Sequence, residues 1–582
     1  MQRLGIGFFL ALCCTAFNSL GQGTPIMMDG VFDDWSSVPG WSDPTGPEGA
    51  VDLLEMKAAH DEDYLYVYLR LGSDIDLTDG LYPHDLFLYI DADANAETGY
   101  TAQAGFGSEL GIKFTGLFAF YDVVPASTVN FSEIGFHPAP TVTGHEFELA
   151  LRRDAVPDGV NPLFPQDTLR LLLKEAAGGD VLPDAGMQAE YVFTEVDVPA
   201  VEPLGLERPA LPVVRTCAYN VLANGLTNAN RQPRFERIIK AIDADVFLFS
   251  ECNNTTASAV ADLLNDWLPL GTASGWHTHK DGDLITASIW PHLQAWNGLS
   301  RQTPVLVDVP VESGGPILFI NSHLSCCAND AGRQDQVDEM VAWVLEQTGA
   351  GGSVPTNTPI VYAGDLNLVG YAQQLETLLH GEIVDTDQYG EGGAPDWDGT
   401  SWADALPRHT DARLTYTWRS DGDGIFPPGR LDFLLYSDAV LSVEQAFVLR
   451  TEGMPADRLL TYGLLELDAA LASDHYPVVA DVMSLALAEL DLDEDGLLDS
   501  EEVALGTDPA DPDTDGDGLS DGLEVEAGQT DPLLWDSNEN GCSDGEEALG
   551  LCAVCIGDLN GDNQVNVSDL VMLLGNFGGG CL

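Results

Sequence analysis

The chain has 582 residues, with 23 basic against 94 acidic side chains, a formal net charge of −71, and 45% hydrophobic residues. Such a chain holds enough apolar material for three or four packed domains of about 150 residues, which excludes a disordered acidic tail protein. The charge excludes retention of nucleic acid or anionic membrane by clustered Lys and Arg, and suits a chain that collects divalent cations or works in salty water.

At the start, Arg3, the apolar run Leu4 to Cys14 and the small residues Ser19, Gly21 and Gly23 have the layout of a secretory signal over 1–23, cleaved after Gly21 or Gly23. Its eleven apolar residues rise about 16 Å as a helix, short of the about 30 Å of a bilayer core. The expected location is therefore secreted, extracellular or associated with the cell surface, with no transmembrane segment. An oxidising compartment permits disulfides. Four of the ten cysteines, Cys542, Cys552, Cys555 and Cys581, crowd the acidic end. Pairing Cys542 with Cys552 and Cys555 with Cys581 is one expectation, but spacing alone does not fix connectivity. Cys217, Cys252, Cys326 and Cys327 are expected as buried thiols.

Residues 24–198 read as β: Tyr64 to Leu71 and Leu86 to Asp91 are short apolar or alternating runs bounded by turn residues. The opening Met28-Asp-Gly-Val-Phe-Asp-Asp-Trp35 and the stretch Asp91-Ala-Asp-Ala-Asn-Ala-Glu-Thr-Gly-Tyr100 resemble secreted β-sandwiches of the family-9 carbohydrate-binding-module type. That resemblance implies a polysaccharide or cell-surface partner; a plain spacer is the alternative. Asp91, Asp93 and Asn95 read either as a calcium loop or as a polar hairpin turn. The proline-rich stretch 199–211 reads as a linker.

Residues 212–484 alternate strand and helix. Val213 to Tyr219, Asp245 to Ser250, Ile317 to Asn321, Ile360 to Ala363, Leu431 to Tyr436 and Val478 to Val482 read as strands. Arg234 to Ile242 reads as a helix with Phe235, Ile238, Ile239 and Ile242 on one face. Polar residues of one chemistry close these strands: Asn220, Glu251, His323, Asp365 with Asn367, Asp432, and Asp474 with His475. Each type suits phosphodiester cleavage. A hard cation takes one or two carboxylates and neutral oxygens, so Glu251 and Asn220 are expected ligands. Asp365 and Asn367 can orient water and phosphate. His475 can exchange a proton, with Asp432 fixing its tautomer.

The ordered motifs Phe249-Ser-Glu251, Asn321-Ser-His-Leu324, Gly364-Asp-Leu-Asn367, Arg430-Leu-Asp-Phe433 and Ser473-Asp-His-Tyr-Pro-Val478 resemble the endonuclease/exonuclease/phosphatase superfamily, which includes deoxyribonuclease I and neutral sphingomyelinases. The resemblance implies a four-layer α/β sandwich and a Mg²⁺- or Mn²⁺-dependent hydrolase. It implies metal ligation by Glu251, Asn220 and Asp474, and catalytic roles for His323, Asp365, Asn367, Asp432, Asp474 and His475. Arg333 and Gln336 also resemble the family, whereas Ser250 stands where members often carry Gln. Substrates in reach are nucleic acid or another phosphodiester. A sphingomyelinase-like phospholipase C, or an adhesion protein with an inactive hydrolase domain, are the alternatives. Trp397 and Trp402, in a long loop, read either as local packing or as candidates to stack on bases or meet lipid.

The segment 489–550 repeats every 22 to 23 residues. Its units carry Asp491, Asp493, Asp495, Asp499 and Glu502; Asp513, Asp515, Asp517, Asp521 and Glu524; and Asp536, Asn538, Asn540, Asp544 and Glu547. Oxygens at alternate positions followed by Gly make a Ca²⁺ loop, and the units resemble type-3 thrombospondin-like repeats. The last segment, 555–582, carries Asp558, Asn560, Asp562, Asn566 and Asp569 before an apolar helix. It resembles one half of a dockerin or EF-hand unit, implying Ca²⁺ there too.

Overall fold

The computed structural model describes residues 19–20, 25–43, 51–77, 84–114, 118–121, 127–184, 186–194, 198–209, 211–271, 275–419, 426–486, 491, 493, 495–509, 511–527, 530–538, 541–550 and 567–575. The expected signal segment lies almost wholly outside these, as do Asn540, Asp558, Asn560, Asp562, Asn566, Cys552, Cys555 and Cys581. Among the described residues no helix is long and apolar enough to cross a membrane. Residues 1–208, 213–309 and 316–482 make one compact unit, and 483–582 fall in another.

The N-terminal part is built from an eight-stranded and a five-stranded sheet. The long strand Tyr64–Ile75 sits between Gly144–Arg152 and Leu53–His60, and Leu86–Asp91 pairs with Thr168–Glu175 and Leu110–Lys113. Alternate residues Leu65, Val67 and Leu69 join Leu88, Ile90 and Leu171 in one hydrophobic cluster, as the period of two in those runs requires. The opposite face, with Trp35, Tyr66 and Tyr68, merges into a cluster containing Tyr219, Phe247 and Tyr476. The sandwich is thus packed on the α/β part. His137 stacks on Tyr416 with ring centroids 4.2 Å apart, and Thr415 Oγ1 donates to Met28 O at 2.6 Å.

The α/β part holds a seven-stranded and a six-stranded sheet. In the first, Val214–Asn220 lies between Val246–Ser250 and Val478–Ser484; in the second, Ile360–Asp365 lies between Ile317–His323 and Asp432–Tyr436. The expected helix is observed as Gln232–Ile242, with its four apolar residues buried against the first sheet. The helix Asp330–Thr348 buries Val337, Met340, Val341 and Val344 against the second. The root of the first sheet is locked by Arg215. Its guanidinium donates from Nε and Nη2 to Asp481 at 2.7 Å each, and to the carbonyls of Leu206, Ile242 and Glu207. All five N–H donors are used, which is the condition for burying that charge.

Candidate active site

Strand register assembles the site. Two of the expected strands run further than their apolar stretches, so that His323 and Asp365 are the last paired residues and Asp432 the first of its strand. His323 is the cross-strand partner of Asp365, and Asp365 of Asp432. Three functional groups from distant sequence therefore stand in one row, at the spacing of adjacent strands, about 4.8 Å. In the other sheet Asn220 is registered with Ser250, one residue before Glu251. Asn321 Nδ2 donates to Phe249 O at 3.1 Å and ties the two sheets together just below the site.

Asp365 is the hub. Its Oδ2 lies 3.7 Å from Nε2 of both His323 and His475, and accepts Asn220 Nδ2 at 2.9 Å. The same Nδ2 reaches Glu251 Oε1 at 3.2 Å. Asn220, expected to offer its oxygen to a cation, spends Oδ1 on the backbone N–H of Leu222 at 3.0 Å and turns its nitrogen to the two carboxylates. Glu251 sits at φ +59°, a strained position for a residue with a side chain, and accepts Ala223 N at 2.6 Å. Asn367, at φ +51°, donates Nδ2 to Leu324 O at 3.1 Å. Asp474 accepts Trp418 Nε1 at 3.2 Å.

Each histidine has its own carboxylate. His475 Nδ1 meets Asp432 Oδ2 at 2.7 Å, and His323 Nδ1 meets Asp283 Oδ2 at 2.6 Å. Burial opposes the charge on His475, but Asp432 and Asp365 outweigh it and push the ring up to about 10. Burial raises the Asp365 carboxyl above its ordinary range, the charge of His475 opposes this, and Asp432 adds to it. Asp283 is raised by burial and lowered by the hydrogen bond and charge of His323, with a net depression. At neutral pH the pocket therefore holds an imidazolium at His475 beside Asp365, whose carboxyl burial has made more basic.

Donor atoms of Asp365, Asp432 and His475 lie within 4.8 Å of one another. A charged ring is no metal ligand, so a cation fits better on the Glu251 side, where the carboxylates of Glu251 and Asp474 line the pocket and suit a hard ion. The pocket, about 190 Å³, is lined by Glu251, His323, Asp365, Asn367, Asp474 and His475, together with Cys326, Cys327, Trp418 and Phe426. Trp397 and Trp402 do not reach it. Trp402 is buried, and Trp397 donates Nε1 to Thr358 O at 2.7 Å, because both fill the space beside the helix Asp330–Thr348.

The acidic repeats form regular loops. Asp495 N donates to Asp491 Oδ1 and Asp493 Oδ1, and Gly496 N to Asp491 Oδ2. The pattern recurs with Asp517 N on Asp513 and Asp515 and Gly518 N on Asp513. Carboxylates of each set, 491/493/495 and 513/515/517, lie within 4.8 Å of one another. Each loop is tied to the next: Gly522 N donates to Asp495 Oδ2 at 2.6 Å and Gly545 N to Asp517 Oδ2 at 2.9 Å. Glu524 is fully buried, and burial plus Asp515, Asp517 and Asp521 pushes it up to about 7, although Thr530 opposes. A buried carboxyl group among three carboxylates is the chemistry a Ca²⁺ ion neutralises. The third unit keeps the geometry at Asp536, whose Oδ2 accepts Gly541 N at 2.6 Å, and at Asp544, which accepts Ser537 N. Asn538 Nδ2 bonds Glu547 Oε2 at 2.8 Å. Of the last unit only the helix Val567–Gly575, with Asp569 buried, is described.

Residues 217–475 match the Endonuclease/Exonuclease/phosphatase family. This segment is a domain of that family. Residues 491–512 and 513–534 match the Bacterial TSP3 repeat. The domain is similar to the human Nocturnin catalytic domain with bound sulfate anion, at 14% identity over 47% of this chain and 95% of that one, TM-score 0.29. It is similar to truncated Caenorhabditis elegans TDP2, at 15% identity over 47% and 97%, TM-score 0.31. It is also similar to sphingomyelinase C from Streptomyces griseocarneus, at 18% identity over 46% and 99%, TM-score 0.28. No curated protein sequence matches the chain.

Asp283 and Thr417 carry no sequence signal. Asp283 ends a hairpin and looks like any turn former; only its position opposite His323 gives it a role. Thr417 Oγ1 accepts Leu431 N and Asp432 N at 3.0 and 2.9 Å and so seats the start of the Asp432 strand. Arg333 and Gln336, read as family-like, are buried and brace the turn after His323. In the N-terminal sandwich the carboxylate group near Asp91 is completed by Glu109, since Asp91, Asp93 and Glu109 have donor atoms within 4.8 Å, while Asn95 Oδ1 accepts Glu97 N.

Proposed function

We propose that the chain is an exported, metal-dependent phosphodiesterase and that its substrate is nucleic acid. The observation that carries this is the convergence of His323 and His475 on Asp365, with Glu251 joined to the same carboxylate through Asn220. A phosphodiester seated there meets the charged His475 and the Nε2 of His323 on its oxygens. Asp365, made more basic by burial, accepts the proton of an attacking water, which Asn367 helps to place. Glu251, positioned by the Nδ2 of Asn220 and with Asp474 lining the same pocket, would hold Mg²⁺ or Mn²⁺. Such an ion, when bound, neutralises phosphate charge and polarises the phosphoryl oxygens. The packing of one helix set on each sheet supports the four-layer α/β sandwich.

Trp418 and Phe426 on the pocket wall favour a base or sugar next to the cleaved phosphate. The domain, with 14 basic and 36 acidic residues over 212–484, repels polyanions at long range. That repulsion is screened to roughly 4 Å at the ionic strength of sea water. The arrangement of Arg3 and the apolar run Leu4 to Cys14 supports export. The repeat loops support Ca²⁺ binding over 491–547, and the Asp91, Asp93 and Glu109 group supports a further Ca²⁺ in the sandwich. Glu109 is buried, with Oε1 lacking a hydrogen-bond partner and its carboxyl pushed up to about 7, chiefly by burial. A polysaccharide or cell-surface partner remains the reading for the sandwich. The test is hydrolysis of plasmid DNA, RNA and sphingomyelin side by side with Mg²⁺. Cleavage of DNA or RNA is the expected result, and cleavage of sphingomyelin alone would replace nuclease by phospholipase.

A further inference from the structure

Two thiols stand side by side on the wall of the catalytic pocket. Cys326 and Cys327, expected from sequence to be buried, are exposed, and their sulfurs lie 2.7 Å apart. Both line the pocket that holds Glu251, His323, Asp365 and His475. The turn carrying them is braced from below: Arg333 Nη1 donates to Ser325 O at 3.0 Å and to Cys327 O at 2.7 Å, while Gln336 Oε1 accepts Ser325 N at 2.9 Å. Cys327 is held at φ +66°, a region that residues with a side chain seldom occupy. The backbone thus fixes both sulfurs toward each other at a position where a change of shape alters the pocket. Cys217 and Cys252, by contrast, are buried in the core.

We propose that Cys326 and Cys327 are an oxidative modification site, a reversible vicinal disulfide formed on the pocket wall that alters substrate entry. The oxidant is a small-molecule disulfide, RSSR. The thiolate of one cysteine attacks a sulfur of RSSR and releases RS⁻; the second cysteine then displaces the other RS⁻ and closes the Sγ–Sγ bond. Overall the two thiols lose two hydrogens and two electrons, and RSSR becomes two RSH. Adjacent residues have Cα atoms about 3.8 Å apart, below the roughly 4.4–6.8 Å of relaxed disulfides. The ring therefore stores strain and is reduced more readily than a structural bridge, which a reversible site requires. The effect on substrate rests on reading this pocket as the active site; formation of the bond does not.

The full chain, equilibrated in glutathione buffers from reducing to oxidising and quenched by alkylation, tests both parts. Mass spectrometry of the peptide spanning 326–327 is expected to show an unalkylated form two hydrogens lighter in oxidising buffer, restored to two alkylated thiols by reduced glutathione. The KM for bis(p-nitrophenyl) phosphate is expected to differ about threefold between the forms with kcat little changed, and not to differ in the Cys326→Ser/Cys327→Ser protein. Two alkylated thiols across the whole series, or a stable glutathione adduct on one of them, would overturn the site. A disulfide that leaves KM unmoved would overturn its effect on substrate. A chain inert toward every phosphodiester would sink the reading of the pocket, and the mass shift would then decide the redox site alone.

Discussion

Replacing Asp432 with Asn removes the carboxylate 2.7 Å from His475 Nδ1 while keeping its size. In the intact site the ring is held near 10 against an ordinary 6.5, which corresponds to about 5 kcal/mol of preference for the imidazolium. Burial acts the other way, so without Asp432 the charge is supported only by Asp365, whose Oδ2 lies 3.7 Å from Nε2, and more weakly by Asp474. The His475 pKa is expected to fall to roughly 7 or below, and kcat/KM at neutral pH by about 10² to 10⁴. The sign for stability follows from linkage. A histidine raised in the folded state stabilises fully below about 6.5 and loses that contribution as pH rises through about 10. Unfolding free energy of the intact protein should therefore fall between pH 8 and about 10, and this slope should vanish in Asp432→Asn. Histidine ring NMR gives the pKa, with His475→Gln to assign the signal, and denaturant titration at each pH gives the slope. A His475 signal that still titrates near 10 in Asp432→Asn would refute the reasoning.

Asp283→Asn should lower kcat about 10- to 100-fold by releasing His323, with partial rescue by Asp283→Glu; an unchanged rate would remove Asp283 as a positioning residue. Glu251→Gln should weaken Mg²⁺ binding, read by calorimetry, by about tenfold or more while the fold persists by circular dichroism. Asp481→Ala, which strands the buried Arg215 charge, should cost about 3–5 kcal/mol in urea unfolding; a loss under 1 kcal/mol, roughly that of a surface pair, would contradict the packing at the root of the sheet. Chelation should reduce the helical signal of the 491–550 repeats. Because burial raises Glu524 to about 7, Ca²⁺ affinity there should rise from pH 5.5 to about 8 as its proton leaves. An affinity equal at both pH values would contradict that environment.

The main strands and the helix face of Phe235, Ile238, Ile239 and Ile242 were legible because each apolar run has one period and ends in turn residues. The site was legible as an ordered set of strand-end polar groups, since one row across a mixed sheet gathers residues about a hundred positions apart. What the sequence hid depends on register or partner choice. The row His323, Asp365, Asp432 exists because strands extend through polar residues that no periodicity marks. Asp283 acquires meaning only across space. Asn220 offers two faces, and which one meets the carboxylates is set by the backbone N–H of Leu222. Trp397 and Trp402, in a polar loop, left local packing and substrate contact both open, and packing beside a neighbouring helix is what they do. Cys326 and Cys327 looked like core thiols, but the turn that carries them opens onto the pocket.

The most direct measurement is Mg²⁺-dependent hydrolysis of plasmid DNA and bis(p-nitrophenyl) phosphate by the full chain and by its His475→Ala variant. The intact chain should be active, with activity lost on chelation, and the variant should be slower by about 10² or more with an unchanged circular dichroism spectrum. Equal rates in the two proteins, or no cleavage of either substrate by the folded, metal-supplied chain, would remove this pocket as the catalytic site.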